Sequence, residues 1–409
     1  MPDPTDEGKT HFISPRLLKK LDYQTPISKF YAEATYMNRR TEPESLDFTL
    51  GDAHEMPPPG FVEALQRWSV PQNSSWYGYK GNIPQSRVTV STALKEQRGL
   101  SILPEDIFMT NGTVVGLAIC LQMLAEEGDE VILLTPPWLG YRRMVHLTGA
   151  VTVGVPVDTN TFEMDLEAIA SAITQKTRVI IVNSPHNPTG KIFSATTLER
   201  LAAILTEASV RYGKPIYLIS DETFSRIVFD NQACPSPTQF YPFSFLVYGY
   251  SKTLMAPGQR IGYIALPSTM PNREQIRRVI AILQGSAFGW CYPSVLMQYA
   301  LGDLEQLNLN IEHLQKKRDW IVKALRDMGY KLRTPDGTFF LLVRSPWLDD
   351  CSFAELLASH DLFVLPGTPQ EIPGYFRISL TATEDMLSRS LPKFQAAMEY
   401  TVANSHEGF

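Results

Sequence analysis

Cysteine is scarce in this chain of 409 residues: Cys120, Cys234, Cys291 and Cys351 are the four, each far from the next. No C-x-x-C pair occurs, so neither a zinc ribbon nor a disulfide framework is indicated, and the four read as reduced thiols acting as small apolar side chains. Long apolar runs are also lacking. No window approaches the roughly 20 apolar residues of a membrane helix, so no membrane partner is expected. Residues 1–20 mix Pro, Asp, Glu and Lys without the apolar core of a secretory leader, which makes the cytoplasm the expected compartment. Positive charge is in deficit: 37 Lys and Arg against 43 Asp and Glu leave a net charge of −6. Nucleic-acid binders usually carry the opposite imbalance, so no nucleic-acid partner is expected. The seven histidines show no H-E-x-x-H spacing, and no catalytic metal is expected.

What remains is ordinary globular usage, 44% hydrophobic and 20% charged, in a chain long enough for two or three domains. Short β-rich runs at 107–110, 131–134, 151–155, 178–182, 216–219, 245–248 and 261–266 alternate with helical stretches at 113–127, 166–173 and 198–212. That alternation predicts an α/β fold with a seven-stranded, mostly parallel sheet lying between helices. Beyond about residue 271 the pattern changes to long helices at 272–284 and 304–328, strand-like pieces at 338–343 and 375–380, and a closing helix at 391–403. The expected division is an N-terminal segment at 1–75, Pro-rich and irregular, packing on a smaller α+β domain at 301–409, with a large domain at 76–300. There is no internal repeat and no linker long enough to separate independent modules.

In an open parallel sheet, ligands collect beyond the carboxyl ends of the strands, so the polar residues there are the informative ones. After the first run come Thr110-Asn111-Gly112-Thr113, directly ahead of a helix. Free N–H groups at a helix N-terminus make a ready phosphate site, although a simple cap fits the same residues. After 178–182 comes Asn183-Ser184-Pro185-His186-Asn187-Pro188-Thr189-Gly190, a turn stiffened by proline that aims the Asn187 amide in one direction. Asp221 follows the next run and reads either as a cap or as a partly desolvated carboxylate needing a cationic partner. Gly249-Tyr250-Ser251-Lys252 follows the next, with Gly258, Arg260 and Gly262 beyond. Lysine at a buried strand end is unusual and is the residue type of Schiff-base chemistry. Asn111-Gly112-Thr113, Trp138, Asn187, Asp221, Lys252 and Arg260 together offer an anion cradle, an aromatic plate, an amide, a carboxylate, an amine and a guanidinium. One ligand uses all six: a phosphorylated, planar pyridine aldehyde.

At these residues the chain resembles the class I/II aminotransferases, the fold-type I pyridoxal-phosphate enzymes related to aspartate aminotransferase. The likeness runs from about residue 46 to 397, and its strongest motifs are Asn187-Pro188-Thr189-Gly190, Asp221-Glu222 and Ser251-Lys252 with Gly258-Gln259-Arg260-Ile261-Gly262. The resemblance implies pyridoxal 5'-phosphate as cofactor, carried by Lys252 as an aldimine, with Lys252 also moving the proton at the substrate's Cα. It implies that Asp221 keeps the pyridine nitrogen protonated, that Asn187 bonds the ring hydroxyl and that Trp138 stacks on the ring. Asn111, Gly112, Thr113 and Arg260 would bind the phosphate. Arg377 would grip the substrate α-carboxylate near Gly51, and Tyr77 would reach the phosphate of a neighbouring subunit in a homodimer.

Two residues depart from the family pattern. Phe224 stands where a tyrosine usually donates to the ring hydroxyl, and Gly249 stands where many members have serine. The resemblance implies an aminotransferase moving an amino group between an amino acid and a 2-oxo acid. Phe224 keeps a second reading open: the same fold and cofactor with elimination, cyclisation, decarboxylation or oxygen-dependent oxidation. A cofactor-sensing regulator would need an appended DNA-binding domain, for which neither the N-terminal segment nor the charge provides. Asp52 and Glu55 could face a cationic substrate, although solvated loop carboxylates are commoner.

Overall fold

The computed structural model describes residues 14, 17, 18, 20 and 23–404. The expectation made for residues 1–20 therefore lies mostly outside the described residues. Among the described residues no helix is long and apolar enough to cross a membrane.

Thirteen strands order the described chain: β1 Leu46–Asp47, β2 Ile107–Thr110, β3 Glu130–Thr135, β4 Val151–Pro156, β5 Thr177–Asn183, β6 Tyr217–Asp221, β7 Ser244–Gly249, β8 Gly262–Ala265, β9 Lys331–Leu332, β10 Phe340–Arg344, β11 Leu362–Phe363, β12 Leu365–Pro366 and β13 Tyr375–Ser379. Seven of them form one sheet in the order β2-β8-β7-β6-β5-β3-β4. Strands β3 to β7 pair in parallel, whereas β8 runs antiparallel to both β2 and β7. The apolar run at 178–182 is buried on both faces, as a central strand of a covered sheet must be. Helices Thr113–Leu124 and Ala195–Tyr212 return the chain between strands. The second starts at Ser194, whose hydroxyl caps Thr197 N–H, and stops at Gly213 with φ +65°.

A four-stranded antiparallel sheet, β12-β13-β10-β9, forms the second unit with helices Ile311–Asp327, Asp350–Ser359 and Glu384–Asn404. Its core is phenylalanine-rich, built around Phe48, Phe339, Phe353, Phe376 and Phe394. The helix expected over 304–328 begins only at Ile311. Asn310 caps it, its side chain accepting from His313 N–H, and the preceding helix Val295–Leu304 is a separate element.

The N-terminal segment is less irregular than its prolines suggest. It holds helices Pro26–Glu33 and Phe61–Ser69, each entered through proline or glycine. β1 pairs with β11 of the second unit, while Phe61–Ser69 packs against Val295–Leu304. The stretch between them, residues 50–59, thus crosses from one unit to the other.

Candidate active site

Strands β5, β6 and β7 end side by side, and their last residues and following turns carry the chemistry. Asn183 closes β5 and donates through Nδ2 to the Asp221 carbonyl at 2.9 Å. Its Oδ1 accepts Asn187 N–H at 2.8 Å, which fixes the proline-rich turn. Asp221 closes β6, is 5% exposed, and has both carboxylate oxygens occupied. Tyr141 Oη donates to Oδ2 at 2.6 Å, while Thr223 donates to Oδ1 through its hydroxyl at 2.7 Å and its N–H at 3.1 Å. Burial pushes the Asp221 carboxyl up, the hydrogen bonds from Tyr141 and Thr223 pull it back, and neighbouring Glu222 adds to the rise.

Lys252 lies in the turn after β7. Its Nζ donates to the Gly51 carbonyl at 2.8 Å and sits 5.5 Å from the Phe339 ring centre. Burial lowers its pKa to about 8; Asp52 opposes that shift, and Arg377 and Arg260 add to it. The neutral, nucleophilic amine is then about a tenth of the population at pH 7, far more than an unshifted lysine offers.

Arg377 projects from β13 of the second unit and is 3% exposed. Its Nη2 donates to the Thr49 carbonyl at 2.6 Å and its Nη1 to Asn187 Oδ1 at 3.2 Å. The Phe340 ring lies 4.1 Å below its guanidinium, and Nε is buried with no partner. Burial lowers its pKa to about 10, against the pull of Tyr31. Arg377 lines the cleft, and its guanidinium keeps N–H groups beyond those bonded to Thr49 and Asn187, which fits an incoming carboxylate.

Helix Thr113–Leu124 opens after Gly112, which has φ +83°, and no side chain caps it. A Cβ at Gly112 would run into the Arg260 guanidinium, so only glycine lets that arginine lie over the free helix end. The Thr113 and Thr223 hydroxyl oxygens lie 3.0 Å apart; with the Thr223 proton given to Asp221, Thr113 is the donor of the pair, which ties the helix start to Asp221. Trp138 packs edge-to-face on Tyr141, with ring centres 5.2 Å apart.

One cleft of about 350 Å³ is lined by Gly51, Asp52, Thr113, Trp138, Asn187, Asp221, Phe224, Ser251, Lys252, Arg260 and Arg377, among others. Of the remaining residues singled out in the sequence, Asn111 and Gly112 sit in the turn just behind Thr113. Tyr77 lies outside the cleft, half exposed, its hydroxyl donating to the Ser69 carbonyl. His186 is buried against Thr189, with its pKa lowered by burial to about 4, and is a neutral structural side chain. Sequence reasoning missed Tyr141, Thr223 and Asn183: Tyr141 reaches Asp221 from 80 positions away, whereas Thr223 stands only two residues beyond it, a spacing at which such a bond could have been anticipated.

The profile of aminotransferase class I and II matches residues 45–393. This chain belongs to that family. The aminotransferase is 29% identical over 350 residues to the aspartate/prephenate aminotransferase of Thermus thermophilus, covering 82% of this chain and 86% of that one. It is 26% identical over 380 residues to the aspartate aminotransferase of Thermotoga maritima, covering 91% and 97%. Among solved structures, an amino transferase from Eubacterium rectale superposes with a TM-score of 0.87 at 25% identity, covering 96% of this chain and all of that one. A mutant aspartate aminotransferase of Thermus thermophilus gives 0.81 at 28% identity, covering 95% and 100%. The fold is that of the fold-type I enzymes, and the aminotransferase depends on pyridoxal phosphate. The donor set suits that cofactor: an uncapped helix end under an arginine for a phosphate, a buried carboxylate for a ring N–H⁺, and a lysine with a lowered pKa for a carbonyl carbon.

Proposed function

We propose that transamination between an amino acid and a 2-oxo acid takes place in this cleft, with each lining residue in a defined role. Pyridoxal phosphate, when bound, supplies the carbonyl that takes up the amino group and the ring that accepts the electron pair left at the substrate's Cα. Lys252 carries the cofactor and, once displaced by the incoming amine, moves the proton at Cα through its Nζ. Asp221, held in orientation by Tyr141 and Thr223, keeps a proton on the ring nitrogen. Asn187 bonds the ring hydroxyl, Trp138 covers a ring face, and the helix start at 111–113 grips the phosphate with Arg260 and Ser251. Arg377 and the backbone at Gly51 orient the α-carboxylate. The single observation that carries this reading is the convergence of Lys252, Asp221, Asn187, Arg260 and Arg377 on one cleft.

A homodimer in the cytoplasm belongs to the same proposal, with Tyr77 reaching the partner's phosphate site. Its support is an exposed aromatic group in which Tyr79 packs edge-to-face on Trp290 at 5.6 Å. A division into a large cofactor-binding domain at 76–300 and a smaller one at 301–409, with an N-terminal segment at 1–75 packing on the smaller one, belongs to the proposal as well.

The test mixes purified, cofactor-loaded protein with pools of amino acids and follows the cofactor's absorbance. Conversion to the amine form, reversed by a 2-oxo acid, is the expected outcome. Ammonia release or oxygen uptake without that form would instead assign the elimination or oxidation chemistry that Phe224, a cleft-lining ring with no hydroxyl, leaves open.

A further inference from the structure

The turns that follow β6 and β7 are joined by one buried carboxylate, Glu305, which has no task in the transamination reading. It stands just past helix Val295–Leu304 and is 3% exposed. Its Oε2 accepts from the Tyr250 hydroxyl at 2.6 Å, and its Oε1 takes Arg226 Nη1 at 2.6 Å and Gln97 Nε2 at 3.3 Å. The Arg226 guanidinium lies over the Tyr248 and Tyr250 rings, 4.9 and 5.4 Å from their centres. A buried ion pair is weak evidence of stabilisation, because apolar side chains of similar volume often serve as well. What this one does is join two turns. Arg226 follows Asp221, in the turn closed by Ser225 N–H on the Glu222 carbonyl at 2.9 Å and Ile227 N–H on the Phe224 carbonyl at 2.8 Å. Tyr250 precedes Lys252, and its carbonyl is the hub of the Lys252 turn. That carbonyl accepts Leu254 N–H at 2.9 Å and the Thr253 hydroxyl at 3.2 Å. With the Thr253 proton spent there, Tyr248 donates to Thr253 Oγ1, 3.1 Å away.

We propose that Glu305 positions Lys252 for attack on the cofactor's carbonyl carbon, acting through the Tyr250 hydroxyl, with Arg226 setting the place of the carboxylate. The inference rests on Lys252 as the residue that carries the cofactor. Glu305, Arg226 and Tyr250 do not line the cleft, so they are positioning residues and act only through the turn. A Tyr250 side chain anchored at its hydroxyl fixes the carbonyl around which residues 251–254 wind, and with it the root of the Lys252 side chain. A nucleophile that must first be brought into line reacts more slowly than one already held there. The step itself is a condensation: the neutral Nζ amine forms a C=N bond with the aldehyde carbon, and the carbonyl oxygen leaves as water with the two N–H protons.

The test uses apoprotein and two forms of the cofactor. Pyridoxal phosphate condenses with the lysine, whereas pyridoxamine phosphate has no carbonyl and uses only the ring and phosphate contacts. Tyr250→Phe keeps the aromatic ring and the Arg226–Glu305 pair and removes only the hydroxyl. In that variant the rate at which saturating pyridoxal phosphate becomes lysine-bound, read from its visible absorbance, should fall roughly ten-fold, the scale of a small misplacement of a reacting group. The Kd for pyridoxamine phosphate should stay within about two-fold of the parent value, since no ring or phosphate contact is lost. Arg226→Met combined with Glu305→Leu replaces the pair by apolar side chains and is expected to fold. It should slow capture to the same extent, and adding Tyr250→Phe to it should slow capture no further, because all three residues act along one path. Equal weakening of both cofactor forms would mean that the cluster serves only the fold or the phosphate site, and would overturn the proposal. Parent-like capture in Tyr250→Phe would overturn it too, as would losses that add in the triple variant. If capture slows as expected but the parent transfers no amino group, the transaminase reading fails and the positioning of Lys252 stands.

Discussion

Arg377 Nη1 donates to Asn187 Oδ1 at 3.2 Å, joining β13 of the second unit to the turn that follows β5 in the first. The group that faces the substrate's carboxylate therefore leans on the group that faces the cofactor ring. Arg377 is otherwise held by the Thr49 carbonyl and the Phe340 ring; its Nε has no partner, and these bonds use one of the two N–H groups on each Nη.

Removing this arginine should act chiefly on the substrate. In Arg377→Ala, kcat/KM for α-amino acids should fall by the equivalent of about 2–5 kcal/mol, a loss of roughly thirty-fold or more. The dissociation constant of pyridoxal phosphate should change far less, because one amide hydrogen bond is what it loses. An unchanged kcat/KM would mean that another residue holds the carboxylate.

Gly249 differs from the serine of many family members, and its surroundings explain why. A Cβ there would collide with Thr113 Oγ1 and come within 3.0 Å of Thr113 N, and Thr113 is itself bonded to Thr223. Gly249→Ser should therefore displace the start of the phosphate-facing helix and weaken cofactor binding by about 1–3 kcal/mol, a typical overpacking effect. Adding Thr113→Ala should recover part of the loss. Cofactor titration of the two variants decides it, and parent-like affinity in Gly249→Ser would contradict the collision.

Phe224 lines the cleft and packs edge-to-face on Phe339, with ring centres 5.1 Å apart. A hydroxyl in its place would stabilise the cofactor's ring oxygen in its anionic form and loosen that oxygen's hold on the imine proton. Phe224→Tyr should lower the pKa of the lysine-bound cofactor by up to about one unit, the equivalent of one hydrogen bond of roughly 0.5–1.5 kcal/mol. A pH titration of the visible absorbance reads this directly. An unchanged or raised pKa would show that position 224 does not face the ring oxygen.

Lys252 should make cofactor capture pH-dependent. Burial brings its pKa from 10.5 to about 8, so the neutral amine that attacks a carbonyl accumulates as pH rises through 8. The rate at which apoprotein takes up pyridoxal phosphate should climb through that range and level off above it. A climb that continues to about 10.5 would mean that the amine is not desolvated.

Asn187, Asp221 and Lys252 could be read from the sequence because each follows an apolar run, where an open α/β sheet presents its ligand edge. Trp138 and Arg377 were legible only through family motifs, since nothing local distinguishes them from a core tryptophan and a strand arginine. Tyr141 was not legible as a partner of Asp221, because that contact spans 80 positions; Thr223 stands two residues beyond Asp221, and what the sequence hides is its contact with Thr113, 110 positions away. The antiparallel direction of β8 was hidden for a related reason. Its apolar run reads the same in either direction, and only its pairing with β2 and β7 sets the orientation. The long helix expected over 304–328 overran its start because helical spacing continues across residues 305–310, where the Asn310 cap begins a new element. Asp52 read equally well as a solvated loop carboxylate, and only the fold brings it to the lining of the cleft.

The most direct test of the central claim is to locate the cofactor's covalent attachment. Loaded enzyme is reduced with borohydride, digested, and its peptides are mapped by mass spectrometry. The expected result is a single pyridoxyl-modified residue, Lys252, and no modified peptide from Lys252→Ala. Stable modification of a different lysine, or none on Lys252, would contradict the assignment of this cleft as the catalytic site.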